Sequence, residues 1–254
     1  MHHLRKIAWA LWLPLAALGG WELLSTVGIL DPLFFPPPSD IVGVALEMAR
    51  SGQIAAALQS TLGNMLIGYA IGCSTGLLCG LAMGRFEMLR KSLETMLAAL
   101  YSTPKLSLFP LLLLLLGVND APRILITAIA CFIVMAFHGE DAVRAVDRTY
   151  AEVATLYGAR GMTLLRKVHL PAAMPTLFTG FRLAVGRAMV VAISVEMVSS
   201  NEGLGGLIWL SWQSFAVEKL FVGVALAGVM GALFHVSLRW AEKVVIPWRA
   251  TTTS

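Results

Sequence analysis

Arg182, Arg187 and Glu196 interrupt an otherwise apolar run, residues 174–199, and Lys105 stands beside Pro104 in another. An ionisable side chain inside such a run is costly, and it marks a pairing, a proton or ion route, or a ligand. At about 100° per residue, Arg182 and Glu196 share roughly one face of a helix over 174–199. Arg187 and Ser194 then lie nearly opposite. Arg182 is near enough to one end of the run to reach polar surroundings, and Glu196 to the other, whereas Arg187 lies deeper. Two readings of Arg187 stand side by side: pairing with a neighbouring helix, or lining a solute pathway with Ser194 and Glu196. Lys105 carries a similar choice, because helices broken at mid-membrane line substrate routes in transporters, while lysines near helix ends also snorkel to the interface.

Hydrolytic and redox chemistry finds no support in the sequence. It contains no GxxxxGK[ST], HExxH or G-x-S-x-G, so neither a phosphate loop nor a zinc-protease or nucleophile-elbow site is expected. His138, Glu140 and Asp141 could be drawn as a metal or acid–base site, but at the end of an apolar run they read as a solvated loop. Cys73, Cys79 and Cys131 all lie in apolar stretches. Their odd count and lack of ligand spacing predict packing as small hydrophobes rather than disulfides or a metal site. No catalytic residue, metal or cofactor is expected, and the chain does not read as an enzyme.

The elements that must position these charges are transmembrane helices. The chain of 254 residues is 57% hydrophobic and 13% charged, about half the charged share of soluble domains, and its mean hydropathy is +0.77. The fold class is an all-α polytopic membrane protein, a single domain over 1–254. Six spans are expected, near 7–28, 59–84, 93–117, 121–138, 174–199 and 217–240. A span needs about 20 apolar residues, and the third is the exception. Its strongly apolar part, 106–117, would rise only about 18 Å, so it must borrow length from 93–103 across Pro104. The N-terminal run could be drawn as a cleaved signal peptide, but its apolar character continues through Trp21 and Leu24 and fits an uncleaved first span better.

Thirteen lysines and arginines fall on one set of loops and termini, and only three, Arg50, Arg123 and Lys219, on the other. By the positive-inside rule both termini are cytoplasmic, and the net charge of +4 is not a nucleic-acid footprint. Two ordered segments are expected outside. After span one, three prolines precede Ser39 or Asp40 as a helix cap, with Ile41, Val44, Ala45 and Met48 on one face. After span five, glycine-rich residues 199–206 lead into a tryptophan-containing apolar run. Span two carries Gly68, Gly72, Gly76, Gly80 and Gly84 at every fourth position, a bare face that lets another helix, of this chain or another, approach closely; lining a ligand is the other reading.

The longest cytoplasmic loop, 139–173, contains a helix-competent run over 150–159 with Val153, Leu156 and Tyr157 clustered, and Glu152 near its start. Gly158 and Gly161 can end it. A second short helix over 164–169 carries Arg166 and Lys167 and stops before Pro171. The pair reads as a docking knob.

The spacing of this loop resembles the EAA loop of ABC-importer permeases. Glu152-x-Ala154 is followed after three residues by Gly158 and after nine more by Val168-x-Leu170-Pro171. Val153 and Val168 depart from the pattern but keep it apolar. FPPPSDIV after span one, TPKLSLFPLLLLLLGVNDAPRI, and GFRLAVGRAMVVAISVEMVSSNEGLGGLIW look like the nitrate/sulfonate/taurine-type branch of that family. The resemblance implies a core permease unit near 57–245 with its EAA loop over 150–171. It also implies location in the bacterial inner membrane and a second permease copy, more often identical, with the pathway between the two. Separate ATPase subunits would receive Glu152, Val153, Ala154, Leu156, Gly158 and Ala159, with Leu170 and Pro171 fixing the loop against span five. A periplasmic or extracellular solute-binding protein would dock on the outer segments. The implied solute is a small anion of the sulfonate, nitrate or taurine kind, and the branch also serves vitamin precursors such as pyrimidines and flavin.

Overall fold

A computed structural model describes residues 2–145, 147–199 and 202–248, with side chains from residue 12 onward except that of Arg148. Arg249, residues 200–201 of the second outer segment, and the side chains of the basic N-terminus lie outside the described residues. Among the described residues every regular element is helical: α1 His2–Thr26, α2 Pro38–Arg50, α3 Gln53–Arg85, α4 Glu87–Ser102, α5 Lys105–Leu116 and α6 Asp120–Arg144. They are followed by α7 Arg148–Leu156, α8 Met162–Leu164, a π-helical turn Leu165–His169, α9 Leu170–Ser199, α10 Gly203–Gln213 and α11 Val217–Val245. Three of these, α3, α6 and α11, are long and apolar enough to cross a membrane. The number reaches five if α4 with α5, and α9 with α10, each count as one span. The six expected spans fall on α1, α3, α4–α5, α6, α9 and α11.

The chain divides into two compact units, residues 1–60 with 196–228 and residues 61–195 with 229–254. In the first, α1 and α2 are tied together by Glu22. Its carboxylate accepts from the Ser39 amide at 3.0 Å and the Ser39 hydroxyl at 2.7 Å. This differs from the expected local cap: α2 starts at Pro38 with no side-chain cap of its own, and a carboxylate from the preceding helix takes the first-turn donor instead. The expected apolar face of α2 is the one turned inward, with Met48 buried. Trp21 packs against Phe221 with ring centroids 5.1 Å apart.

The second unit is organised around α6. Asn119 caps it, accepting from the Ala121 amide at 2.8 Å, and the helix closes with Arg144 in its last turn. The glycine face of α3 lies against it. A Cβ on Gly68, Gly72, Gly76 or Gly80 would lie 2.7, 2.2, 2.4 or 2.2 Å from the carbonyl oxygens of Ile124, Ala128, Phe132 and Ala136. Each contact advances four residues on both helices, so the two run parallel with their backbones nearly touching. One on Gly84 would meet the Val143 side chain at 2.6 Å. Cys131 is buried in this layer and donates to the Ala184 carbonyl at 3.5 Å, so α9 packs on α6 as well. Phe109 of α5, Ile126 of α6 and Val195 of α9 form a further buried cluster.

The third expected span is not straight. α4 and α5 meet at 97° across Thr103 and Pro104. Pro104 cannot donate a backbone hydrogen bond, and the residue before it is driven to extended geometry, as Thr103 shows at φ −69°, ψ 131°. The second short helix of the long loop also differs from expectation. It does not stop before Pro171 but runs through the π-helical turn directly into α9. A proline lacks the amide that would bond back four residues and its ring crowds that carbonyl. The widened π turn just ahead accommodates it.

Candidate functional site

The loop between α6 and α9 begins with a capped helix. Asp147 accepts a hydrogen bond from the Thr149 amide at 2.9 Å, meeting one of the free donors of the first turn of α7. That bond holds the Asp147 carboxyl below the usual carboxylate range. Asp147→Ala is expected to accelerate amide hydrogen exchange across residues 148–156 at neutral pH. Because the folded-state pKa is depressed, the contribution of the cap is present above the unfolded pKa and is lost as pH falls through the lowered folded value. Native protein and variant should therefore converge only in strong acid, which exchange measured across the acid range will check.

The far end of α7 closes on Gly158 at φ +85°. The Ala159 amide donates to the Ala154 carbonyl at 2.9 Å and the Gly158 amide to Thr155 at 2.9 Å, the pattern of a Schellman cap. Glycine is needed there for the left-handed backbone; the space beside it is open within this chain. Between the two caps an apolar surface stays bare. Leu156 is 86% exposed and Tyr157 88%, with Tyr150 and Val153 also exposed and Glu152 beside them. Ala154, Ala159 and Pro171 are half-buried, and Leu170 is exposed. On the other flank, Tyr150, Val153, Ala154, Val168, Pro171 and Trp248 line an open, mostly apolar cleft of about 600 Å³. Tyr157 belongs to the apolar cluster expected from the sequence, whereas Trp248 does not: its aromatic character is the available signal, but nothing in the spacing places it beside a loop some eighty residues earlier.

The four candidate pathway residues separate. Lys105 and Arg187 come together on Tyr101, at the bend between α4 and α5. Arg187 donates to the Tyr101 hydroxyl at 2.9 Å, and its guanidinium carbon lies 5.4 Å from the ring centroid. The Lys105 ammonium lies 5.2 Å from the same centroid and donates to the Tyr101 carbonyl. Ser194 is half-buried on α9. Glu196 is 1% exposed and accepts from the Gly205 amide at 3.0 Å, so it is engaged at the N-terminus of α10. Arg182 is paired with Glu242 of α11 at 2.6 Å. His138, Glu140 and Asp141 lie within α6 rather than in the expected solvated loop, and Glu140 is buried; His138 bonds to the Val134 carbonyl at 2.9 Å and Glu140 pairs with Arg144 at 3.0 Å.

Helices long and apolar enough to cross a membrane, together with a capped loop helix that exposes apolar side chains, are the features of a membrane protein with a surface for a partner. Residues 72–250 match the family of binding-protein-dependent transport system inner membrane components, and the chain belongs to that family. It is 30% identical to the putative aliphatic sulfonates transport permease SsuC of Escherichia coli over 96% of this chain and 92% of the relative. It is 28% identical to the corresponding SsuC of Bacillus subtilis over 96% and 90%. Its fold resembles a chain of the MetNI methionine ABC transporter, solved in inward-facing conformations. The TM-score is 0.58 and the match covers 75% of this chain and 93% of the other; at 16% identity it speaks to the fold. The role is that of a permease subunit of an ABC importer.

Proposed function

We propose that this chain forms the translocation pathway of an ATP-driven importer and receives its ATPase on the 152–171 loop. The observation that carries this reading is the knob of α7. An exposed Leu156 and Tyr157, held rigid between the Asp147 cap and the Gly158 reversal, present apolar area that a partner would bury. Glu152, Val153, Ala154, Gly158 and Ala159 share the contact, and Leu170 and Pro171 carry its movement into α9. Both termini and this loop face the cytoplasm, as the asymmetry of lysine and arginine supports. Two copies of the permease enclose the pathway, with the core unit over 57–245. ATP binding by a separate subunit pair drives the loops together and turns the pathway outward. A solute-binding protein docks around α2 and α10. The solute is a small organic anion or oxyanion of the sulfonate class, a reading supported by the kinship to sulfonate permeases and by cations among the pathway candidates.

The test is Leu156→Asp, a change at a side chain that is 86% exposed. The variant should enter the membrane at native levels and lose both co-purification of the ATPase subunit and uptake. Undiminished ATPase binding would exclude the knob as its receptor.

A further inference from the structure

We propose that Arg187 and Lys105, gathered on Tyr101 at the bend between α4 and α5, form the point where the solute's anionic head group, a sulfonate or similar oxyanion, is recognised inside the permease. The inference rests on the transport reading above and adds to it a place and a chemistry.

Three cations lie away from the ends of the expected spans, Lys105, Arg182 and Arg187, and of these Arg182 pairs with Glu242. Arg187 and Lys105 are different: among the described residues their polar partner is a neutral tyrosine, and no carboxylate lies within 4.0 Å of either. Arg187 is exposed and Lys105 half-buried within this chain, so both are open to a ligand; inside a membrane span a cation without a counter-ion is costly, and an incoming anion removes that cost.

The donors are arranged for such an anion. Arg187 donates to the hydroxyl oxygen of Tyr101, so the hydroxyl hydrogen is left to give. Lys105 gives one hydrogen to the Tyr101 carbonyl and keeps two, and the guanidinium keeps most of its five. Lys105 is also the first residue of α5, a helix whose N-terminus has no side-chain cap and therefore favours negative charge. The tyrosine ring holds both cations by its face. Tyr101 closes α4, Lys105 opens α5 and Arg187 belongs to α9. The site thus joins three helices at a break, and a change in the angle at Pro104 would take it apart. That gives one element both recognition and release.

Two measurements on the assembled transporter test this. In nanodiscs of phosphatidylcholine, modification of Arg187 by phenylglyoxal, followed by mass spectrometry, should slow when ethanesulfonate is added and not when the neutral ethyl methyl sulfone is added. Equal modification with both probes overturns the proposal. Protection that arises only when phosphatidylglycerol is present, with or without ethanesulfonate, also overturns it, because the anion would then be a lipid phosphate. In proteoliposomes, Arg187→Gln should lower ethanesulfonate uptake about tenfold or more, the loss expected for one charge-assisted hydrogen bond. Arg187→Lys should recover much of it, and Lys105→Gln should fall between. The Arg187→Gln complex must still co-purify with its ATPase. Uptake undiminished in that variant overturns the proposal, and so does a loss that Arg187→Lys does not repair. Failure of the native transporter to import ethanesulfonate while Arg187 is still protected would instead count against the solute class and leave the site standing.

Discussion

Gly72→Leu is expected to leave no folded protein in detergent, and even Gly72→Ala should lower stability by more than the roughly 1–3 kcal/mol typical of an overpacked core. A Cβ at this position would sit 2.2 Å from the Ala128 carbonyl oxygen and 2.9 Å from its carbon. Both are backbone atoms of α6, so no rotamer change relieves the overlap. The helices would have to separate, and the neighbouring contacts at Gly68, Gly76 and Gly80 against Ile124, Phe132 and Ala136 would open with them. Gly80→Ala, with the same 2.2 Å approach to Ala136, should behave alike. Gly63→Ala supplies the control on the same helix. Nothing lies within 4 Å of its Cβ position, so the substitution should be neutral or stabilise by about 0.5–1 kcal/mol through helix propensity. Thermal unfolding of the solubilised protein compares the three directly. Equal midpoints for Gly72→Ala and Gly63→Ala would mean that α3 and α6 do not meet along this face.

The glycine face was legible in the sequence because close packing of two helices needs a periodic absence of side chains, and a period is visible in one dimension. The same is true of the inward face of α2 and of the reversal at Gly158. What could not be read depends on partners far along the chain or on direction. Arg182 and Glu196 looked alike as charges in one span. The first is paired with Glu242, sixty residues on, and the second accepts a hydrogen bond from a backbone amide of the next helix. Hydropathy gives the length of apolar chain across Pro104 and carries no information on direction, so a 97° bend reads as one interrupted span. Ser39 is a good cap by type, yet Glu22 reaches the same turn from α1 because a carboxylate answers an uncapped N-terminus more strongly than a hydroxyl does. Pro171 signals a stop in one dimension, but the preceding turn can widen to let a helix pass. For the candidate site, the order of residues in the loop was readable. The meeting of Lys105 and Arg187 on Tyr101 required three helices to be placed.

Substituting either partner of the Glu196–Gly203 contact should disable the transporter, and substituting both should do less harm than the two changes summed. Glu196 is buried and accepts from the Gly205 amide, at the positive end of the helix dipole of α10. Gly203, one residue past the α10 cap position, holds φ +79°, and a Cβ there would lie 2.5 Å from the Glu196 carboxyl carbon. Only glycine satisfies both the left-handed backbone and the close approach. Glu196→Ala removes the acceptor and leaves a buried amide to find another, at a cost of about 1–3 kcal/mol. Gly203→Ala carries backbone strain of about 1–2 kcal/mol and, in addition, displaces the carboxylate. In the double variant the displacement term vanishes, because the alanine methyl occupies space the carboxylate has left, while the backbone strain remains. The coupling between the two substitutions should therefore be compensating by about 0.5–3 kcal/mol, the range for residues in direct contact. Glu196→Gln separates charge from shape: it keeps an acceptor oxygen for Gly205 and should retain more stability than Glu196→Ala. Unfolding midpoints of the native protein and the four variants, with solute uptake measured alongside, decide it. Strict additivity would show that the carboxylate and Gly203 act independently.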